Sequence, residues 1–486
     1  MPINYNDEAR IAYLKWLAAE DADEEKMIRT VRDYASGRQP SYLTDRQKEF
    51  LGLKARNTKY LYAHNLCQLV IDSVVERLRI EEFRPADTDN PSEAITALIK
   101  GWCASNRLDA LLDDVHEAAC RDGRAYLLVD WNGQRPRWTI NLVFDGTQGI
   151  RMIRDASTDG ALFAVKTWQV NDILNPVNNG STRKTLYFPD RVEKYISASD
   201  SNPGIAGTRW APYIDADGEP WPIPWVDAQG QPLGIAAIEF PNPGGSEIEQ
   251  LLPLQDMLNK SDLDVIAASD ASGFRILYVT GAQPKLKTDG AEESETIGPA
   301  KLMRLTDPNA KLGAIDASDP TSIIASSKYW IESLAGISRT PQYLFQALGA
   351  DQPSGESLKE QEVGLLHKVQ RRQTVFGNAW EDVLYLSARL QTLYRPQDAA
   401  DIGIVDTIWA SAEEFVDDIA IQQVEAAAQK TAAEAAILRQ QLGVSQAQIL
   451  RELGYTDEQI VQMEQEREAG TAQLGETLLQ AFERGQ

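Results

Sequence analysis

Cysteine is scarce in this chain: Cys67, Cys103 and Cys120 are the only three among 486 residues. So small and odd a number builds no disulfide framework, so the fold must rest on buried apolar surface, as in a reducing compartment. Histidine is equally rare, with His64, His116 and His367. No Gly-Lys dipeptide occurs, which removes the phosphate-binding P-loop, and neither a GxSxG nucleophile elbow nor an HExxH zinc motif is present. No window approaches the ~18 apolar residues of a membrane-spanning helix. The opening MPINYNDEARIAYLKW has no basic segment followed by an apolar run. A soluble, non-secreted protein without the usual signatures of nucleotide or ester hydrolysis is expected.

Positive charge is the next deficit. Lys and Arg number 48 against 72 Asp and Glu, a formal charge of −24. A surface that negative repels phosphates, so tight sequence-specific binding of nucleic acid is not expected. The excess is uneven: from Pro396 to Gln486 there are 17 acidic and 5 basic residues, half of the total excess in under a fifth of the chain. That segment is rich in Ala and Gln, as in VEAAAQKTAAEAAILRQQ, and reads as a solvated helical tail.

What is present is ample apolar material, 43% of the residues, enough for two to four domains. The first ~125 residues read as helices. Tyr60 to Arg79 places Leu66, Leu69, Val70, Val74 and Leu78 on one face, and LDALLDDVHEAACRDG stops at Gly123. Strand patterns follow in AYLLVDW, RWTINLVF, ALFAVKTW, KTLYF and VEKYI, divided by Asn-Gly, Asp-Gly and Gly-Ser turns. The class is α+β, with helices segregated from an antiparallel meander.

The middle of the chain reads as a rod with a knob. Ser246 with Glu249 forms a capping box for a helix to Ser272, and Asp319 with Pro320 opens a second helix to about Gly336. Between them lie FRILYVT, AKLMRLT and the acidic loop DGAEESET. Then comes GADQPSGESLKE, Gly349 to Glu360, a loop with almost nothing to pack, ahead of a helix from about Ser354 to Leu393. Such a loop cannot offset the entropy of being fixed unless something outside the subunit orders it. Leu365, Val369, Phe376, Trp380, Val383 and Leu390 share one stripe of the helix, so it is expected to serve as a spine with one face in a core.

Other constellations are weaker. His64, Cys67, Cys103, His116 and Cys120 are of metal-ligand type, but no close CxxC pair supports zinc, and small side chains on the buried faces of packed helices suit the spacing better. No metal and no cofactor is expected. DADG at Asp215 to Gly218 begins like a calcium loop, but the later oxygens are missing and a hairpin turn fits better. Lys359, His367, Lys368, Arg371 and Arg372 make the long helix locally basic; on an isolated helix they would be solvated or paired with Glu356, Glu360 and Glu362.

Six stretches, in order, resemble phage portal proteins of the SPP1-like siphovirus family. They are NLCQLVIDSVVERLRIEEFR (Asn65 to Arg84), HEAACRDGRAYLLV (His116 to Val129), TLYFPDRVEKY (Thr185 to Tyr195), TPQYLF (Thr340 to Phe345), PSGESLKEQEVGLLHKVQRRQTVFGNAWEDVL (Pro353 to Leu384) and LGYTDEQIVQMEQERE (Leu453 to Glu468). The chain departs from the family in its Pro- and Trp-rich hairpin, Trp210 to Trp225, and in ending without a long basic tail.

The resemblance implies a portal fold: a wing over 1–245, stem helices over 246–272 and 319–337 bracketing a small α/β clip over 273–318, a tunnel-loop region over 338–356, a spine helix with a return to the wing over 357–410, and an acidic helical crown over 411–486. It implies a ring of about twelve copies around double-stranded DNA, docking the large terminase, then a head-tail adaptor, beside the major capsid and scaffolding proteins, with no membrane. By the same resemblance Gly349, Ala350, Asp351, Gln352, Pro353, Ser354 and Gly355 line the channel. Lys359, Lys368, Arg371 and Arg372 supply channel or inter-subunit charge, Asp289, Glu292, Glu293 and Glu295 meet partners at the clip, and Leu254, Leu258, Trp330 and Leu334 pack the stem. Two other readings stay open on the residues alone: a virion scaffold or adaptor with a helical tail, and a hydrolase using a pair of carboxylates. A particle of roughly a dozen-fold the 53.9 kDa chain mass would separate the portal from both.

Overall fold

The computed structural model describes residues 22–40, 63–85, 93–171, 180–197, 210–215, 219–273, 276–280, 311–315, 321–345 and 355–412. Two compact units divide the chain, one of 1–352 with 361–412 and one of 353–360 with 413–486. Nearly all described elements belong to the first; the second contributes only the opening residues of the long helix.

Helices come first, as the apolar periodicity requires. α1 (Ala22–Ala35) carries Asp23, Glu24 and Glu25 in its first turn and Arg32 in its last, matching the helix dipole. α2 (Cys67–Val75) buries Cys67, Val70, Ile71, Ser73 and Val74. After β1 (Ile80–Pro85), α3 (Glu93–Asn106) and α4 (Leu108–Asp122) follow. Gly123 ends α4 with φ +83°, and a Cβ there would lie 3.0 Å from the Ser246 backbone nitrogen, so both conformation and space demand glycine.

Two larger antiparallel sheets follow these helices. β2 (Arg124–Trp131) lies between β3 (Pro136–Asn141) and β10 (Ala237–Pro241), and Ala125 to Val129 are all buried, which explains its unbroken apolar run. β4 (Gly149–Arg154), β5 (Ala161–Gln169), β6 (Thr182–Tyr187), β7 (Arg191–Ser197) and β8 (Trp210–Pro212) form the expected meander, with the short β9 (Ile223–Pro224) also on β7. Phe163, Val165, Leu186, Tyr195 and Trp210 give it a small core of its own.

The two helices expected to form a stem pack as a pair. A 3₁₀ turn, Glu249–Leu251, leads into α5 (Leu252–Gly273), and α6 (Thr321–Ser338) returns. Between them the strands β11 (Ile276–Thr280) and β12 (Lys311–Ile315) pair antiparallel, Ile276 opposite Ile315. Ser246 does not cap a helix as expected: its hydroxyl donates to the Arg121 carbonyl at 2.6 Å, and the α-helix begins six residues later. Asp262 on α5 accepts from Ser327 of α6 at 3.0 Å and meets His64 Nδ1 at 2.8 Å, joining the stem helices to the segment before α2.

α7 (Gly355–Tyr394) runs for 40 residues, about 60 Å of helix. Leu365, Val369, Phe376, Trp380, Val383 and Leu390 are all wholly buried. Trp380 is the hub: Phe240 meets it edge-on at 5.0 Å, and its indole donates to His116 Nε2 at 3.1 Å. Trp138 donates to Ser387 at 2.9 Å, so the buried indole nitrogens are partnered. β13 (Val405–Trp409) then returns to pair with β1. Gly377 permits this approach, since a Cβ there would stand 3.2 Å from Trp409 Nε1.

Candidate functional site

The residues expected to line a channel, Gly349, Ala350, Asp351, Gln352, Pro353 and Ser354, lie outside the described residues, while Gly355 is the first residue of α7. The flanks of that segment are described, and a buried polar cluster joins them. On the incoming side a 3₁₀ turn, Gln342–Phe345, carries Tyr343, whose hydroxyl donates to Glu362 Oε1 on the outgoing helix. Arg77, just past α2, donates to the same oxygen at 3.1 Å and to the Ser73 carbonyl at 2.6 Å. The Arg77 and Glu362 side chains are 1% and 0% exposed, so this pair has no solvent to screen it. Burial, then the Glu362 carboxylate, pushes the Tyr343 phenol well above its ordinary value. Hence the described residues on the two sides of 346–354, the Gln342–Phe345 turn and α7, are joined in one buried cluster.

A second cluster lies one to two turns further along α7. Lys368 meets Glu247 at 2.5 Å and donates to the Ser338 carbonyl at 3.0 Å. Arg372 pairs with the other oxygen of Glu247 and donates to the Lys368 carbonyl at 2.7 Å. Burial works to raise the Glu247 pKa, but Lys368 and Arg372 outweigh it and hold the carboxyl below its ordinary value. These residues floor a cleft of about 450 Å³ between the Pro243–Leu251 segment, the end of α6 and α7, with Arg339, His367 and Arg371 also lining it. Lys368 and Arg372 therefore do not pair with the acids of their own helix. Glu362, expected as a solvated partner, is buried against Arg77. Lys359 stands on α7.

Of the residues expected to pack a stem, Leu258 and Leu334 are wholly buried and Leu254 and Trp330 half-buried against the main core, while Tyr329, Ile324 and Ile337 of the same helix pair are exposed. Asp289, Glu292, Glu293 and Glu295 lie outside the described residues, as does the turn after Asp215. Of the residues of metal-ligand type, His116, Cys67 and Cys120 are buried in the core and Cys103 is half-buried, whereas His64 is exposed beside Asp262. His116 stacks on Phe376 at 5.1 Å, and burial brings its pKa down to about 3. Burial likewise pushes the thiols of Cys67, Cys103 and Cys120 up to about 12. Among the described residues no group of three or more His, Cys, Asp or Glu is arranged to hold a metal, and no helix is long and apolar enough to cross a membrane.

Sequence reasoning missed Arg77, Tyr343, Glu247 and Arg339. Tyr343 sat in a quoted motif, but nothing local linked it to Glu362.

A forty-residue helix with one face in the main core, a pair of packed helices and an antiparallel strand pair between them in sequence follow the element order expected for the chain. The model of the family "Phage portal protein, SPP1 Gp6-like" matches residues 54–472. The chain belongs to this family and is a phage portal protein, a component of the virion. The portal protein of Mycobacterium phage L5 is 24% identical over 383 residues, 76% of this chain and 73% of that relative. The portal protein of Mycobacterium phage D29 is 24% identical over 388 residues, with the same coverage. A solved chain from the "Virion of native gene transfer agent (GTA) particle" is 11% identical with a TM-score of 0.36, covering 75% of this chain and 84% of that one.

Proposed function

We propose that about twelve copies close into a ring at one capsid vertex and form a passive conduit for double-stranded DNA, without catalysis of their own. In this reading the wing is 1–245 together with the spine and its return, 357–410, and the stem is 246–272 and 319–337. The clip, 273–318, meets the terminase and later the head-tail adaptor through Asp289, Glu292, Glu293 and Glu295. The crown is 411–486, and capsid and scaffolding proteins meet the wing during assembly in the host cytoplasm. Residues 349–355 face the DNA.

One observation supports the channel role above all: a segment poor in large apolar side chains has both flanks tied by the buried Tyr343–Glu362–Arg77 cluster. Fixed flanks suit an element that meets a cargo whose surface changes height as it moves. A ring of about twelve cannot match the ~10.5 base-pair repeat of duplex DNA, so each loop must meet the helix at its own level. The acidity of the whole chain, −24, supports a conduit that repels its cargo and so does not stall it.

The test is deletion of Asp351 to Ser354. Rings and capsid incorporation are expected to persist while the DNA packaged or retained per particle falls. Full packaging would move the DNA-facing element elsewhere.

A further inference from the structure

Assembly of a chain this acidic poses a physical problem, and the cleft floored by Glu247 answers it. Each copy carries a formal −24, so two copies repel at long range unless cations stand where they touch. Around the cleft, Lys368 and Arg372 are both committed to Glu247. Arg339 and Arg371, lining the same space, are exposed and have no ion pair among the described residues. Among the described residues that line the cleft, four cations therefore stand with one carboxylate, and only two of them pair with it. Arg339 is also conformationally odd: it follows α6 with φ +54°, the left-handed region where helices usually end on glycine. A side chain held there with no ion pair among the described residues is available to a partner outside the subunit. Beside it, Ile337 is 54% exposed on the same lip, which gives the cleft an apolar margin as well as a positive floor.

We infer that this cleft is the basic half of the contact between neighbouring copies and receives carboxylates of the next subunit. The inference rests on the ring reading and adds which surface makes the contact. The occupant follows from shape and charge. A recess of about 450 Å³ takes a few protruding side chains. Duplex DNA is convex and would be met by projecting cations, whereas two of these four are recessed and already bonded. A second copy, with 72 acidic residues, offers the carboxylates in abundance.

The test uses the full chain. Mass photometry over a concentration series, at low and high salt, compares the unmodified protein with the Arg339→Glu, Arg371→Glu double variant. Reversal of two exposed charges per contact should raise the concentration needed for rings about tenfold or more, with an unchanged melting temperature. In Arg371→Lys, a carbodiimide should join Lys at this position to a carboxylate of another subunit, identified by mass spectrometry. Rings at the unmodified concentration, or cross-links only within one subunit, would overturn the inference and leave the ring reading intact. Normal rings that lose retention of a duplex oligonucleotide would overturn it in favour of a phosphate site. An unmodified chain that never leaves the monomer would remove the ring reading itself.

Discussion

Replacing Glu362 by Gln isolates the clamp at the base of the 346–354 segment. Gln has the same shape, and its amide oxygen still accepts from Tyr343, so packing is kept and only the charge is removed. Arg77 then stays buried, 1% exposed, without its carboxylate. Breaking a buried pair from one side costs about 3–5 kcal/mol, because the remaining charge has lost both water and counter-charge. The residual bonds to the amide and to Ser73 place Glu362→Gln at the lower end, about 3 kcal/mol. Arg77→Met should cost at least as much. The double variant Arg77→Met, Glu362→Gln should cost less than the sum by about 2 kcal/mol or more, since neither charge is left alone. Urea denaturation followed by tryptophan fluorescence and by circular dichroism gives the three values. A single-variant loss under about 1 kcal/mol, or strict additivity, would mean that the pair is solvated and ties nothing. In particles, the same single variants should assemble yet retain less DNA, as the loop deletion does, because the base of the segment is no longer fixed.

Three further outcomes follow. Gly377→Val should destabilise by about 1–3 kcal/mol through overpacking, since its Cβ meets Trp409 at 3.2 Å, and proteolysis should then open the β1–β13 edge first. Tyr329→Glu, at a position 59% exposed on α6, should reduce ring yield with little change in melting temperature; a large fall in melting temperature instead would place the residue in the subunit's own core. His116 stays neutral in the fold down to a pKa of about 3 but protonates near 6.5 when unfolded. Its contribution is therefore complete above pH 6.5 and is lost by about 1.4 kcal/mol per unit as pH falls below that. Glu247, whose pKa is lowered, adds to the loss only below its unfolded value of 4.5. His64, raised by its bond to Asp262, acts in the opposite sense, its contribution being lost as pH rises through its folded pKa. Urea midpoints from pH 7 to 5 should fall, and His116→Gln should flatten that slope.

Long local patterns were legible and short distant ones were not. The spine, expected over 354–393, runs Gly355–Tyr394, because forty residues of one periodicity need no partner to announce a helix. β1 and β13 went unread, as IEEFRP is mostly exposed and its mate VDTIW lies more than three hundred residues away. The helix expected over 60–79 is confined to Cys67–Val75 among the described residues. Before it, the backbone N–H groups of His64 and Leu66 donate instead to Asn259 and Gln255 of α5, at 2.9 and 3.1 Å. Those side-chain acceptors, nearly two hundred residues away, replace the helical bonds that the periodicity favours.

The candidate site illustrates the same limit in terms of charge. Spacing along α7 suggested pairs such as Glu362 with its helical neighbours, each worth only about 0.3–0.5 kcal/mol. The fold instead matches Glu362 with Arg77, 285 positions away, and Lys368 and Arg372 with Glu247, where burial makes each contact far stronger. A sequence shows which residues carry charge but not which of them lose their water, and desolvation decides which pairs matter. In a chain with a surplus of acids, most carboxylates are free to face solvent and reveal little. The cations are the informative minority. Arg77, Lys368 and Arg372 are drawn inward to fix the two flanks of one segment and the floor of one cleft, which leaves Arg339 and Arg371 exposed and without an ion pair among the described residues. That division, between cations spent on the subunit and cations held for its neighbour, is visible only once the fold has brought four separate stretches of chain together.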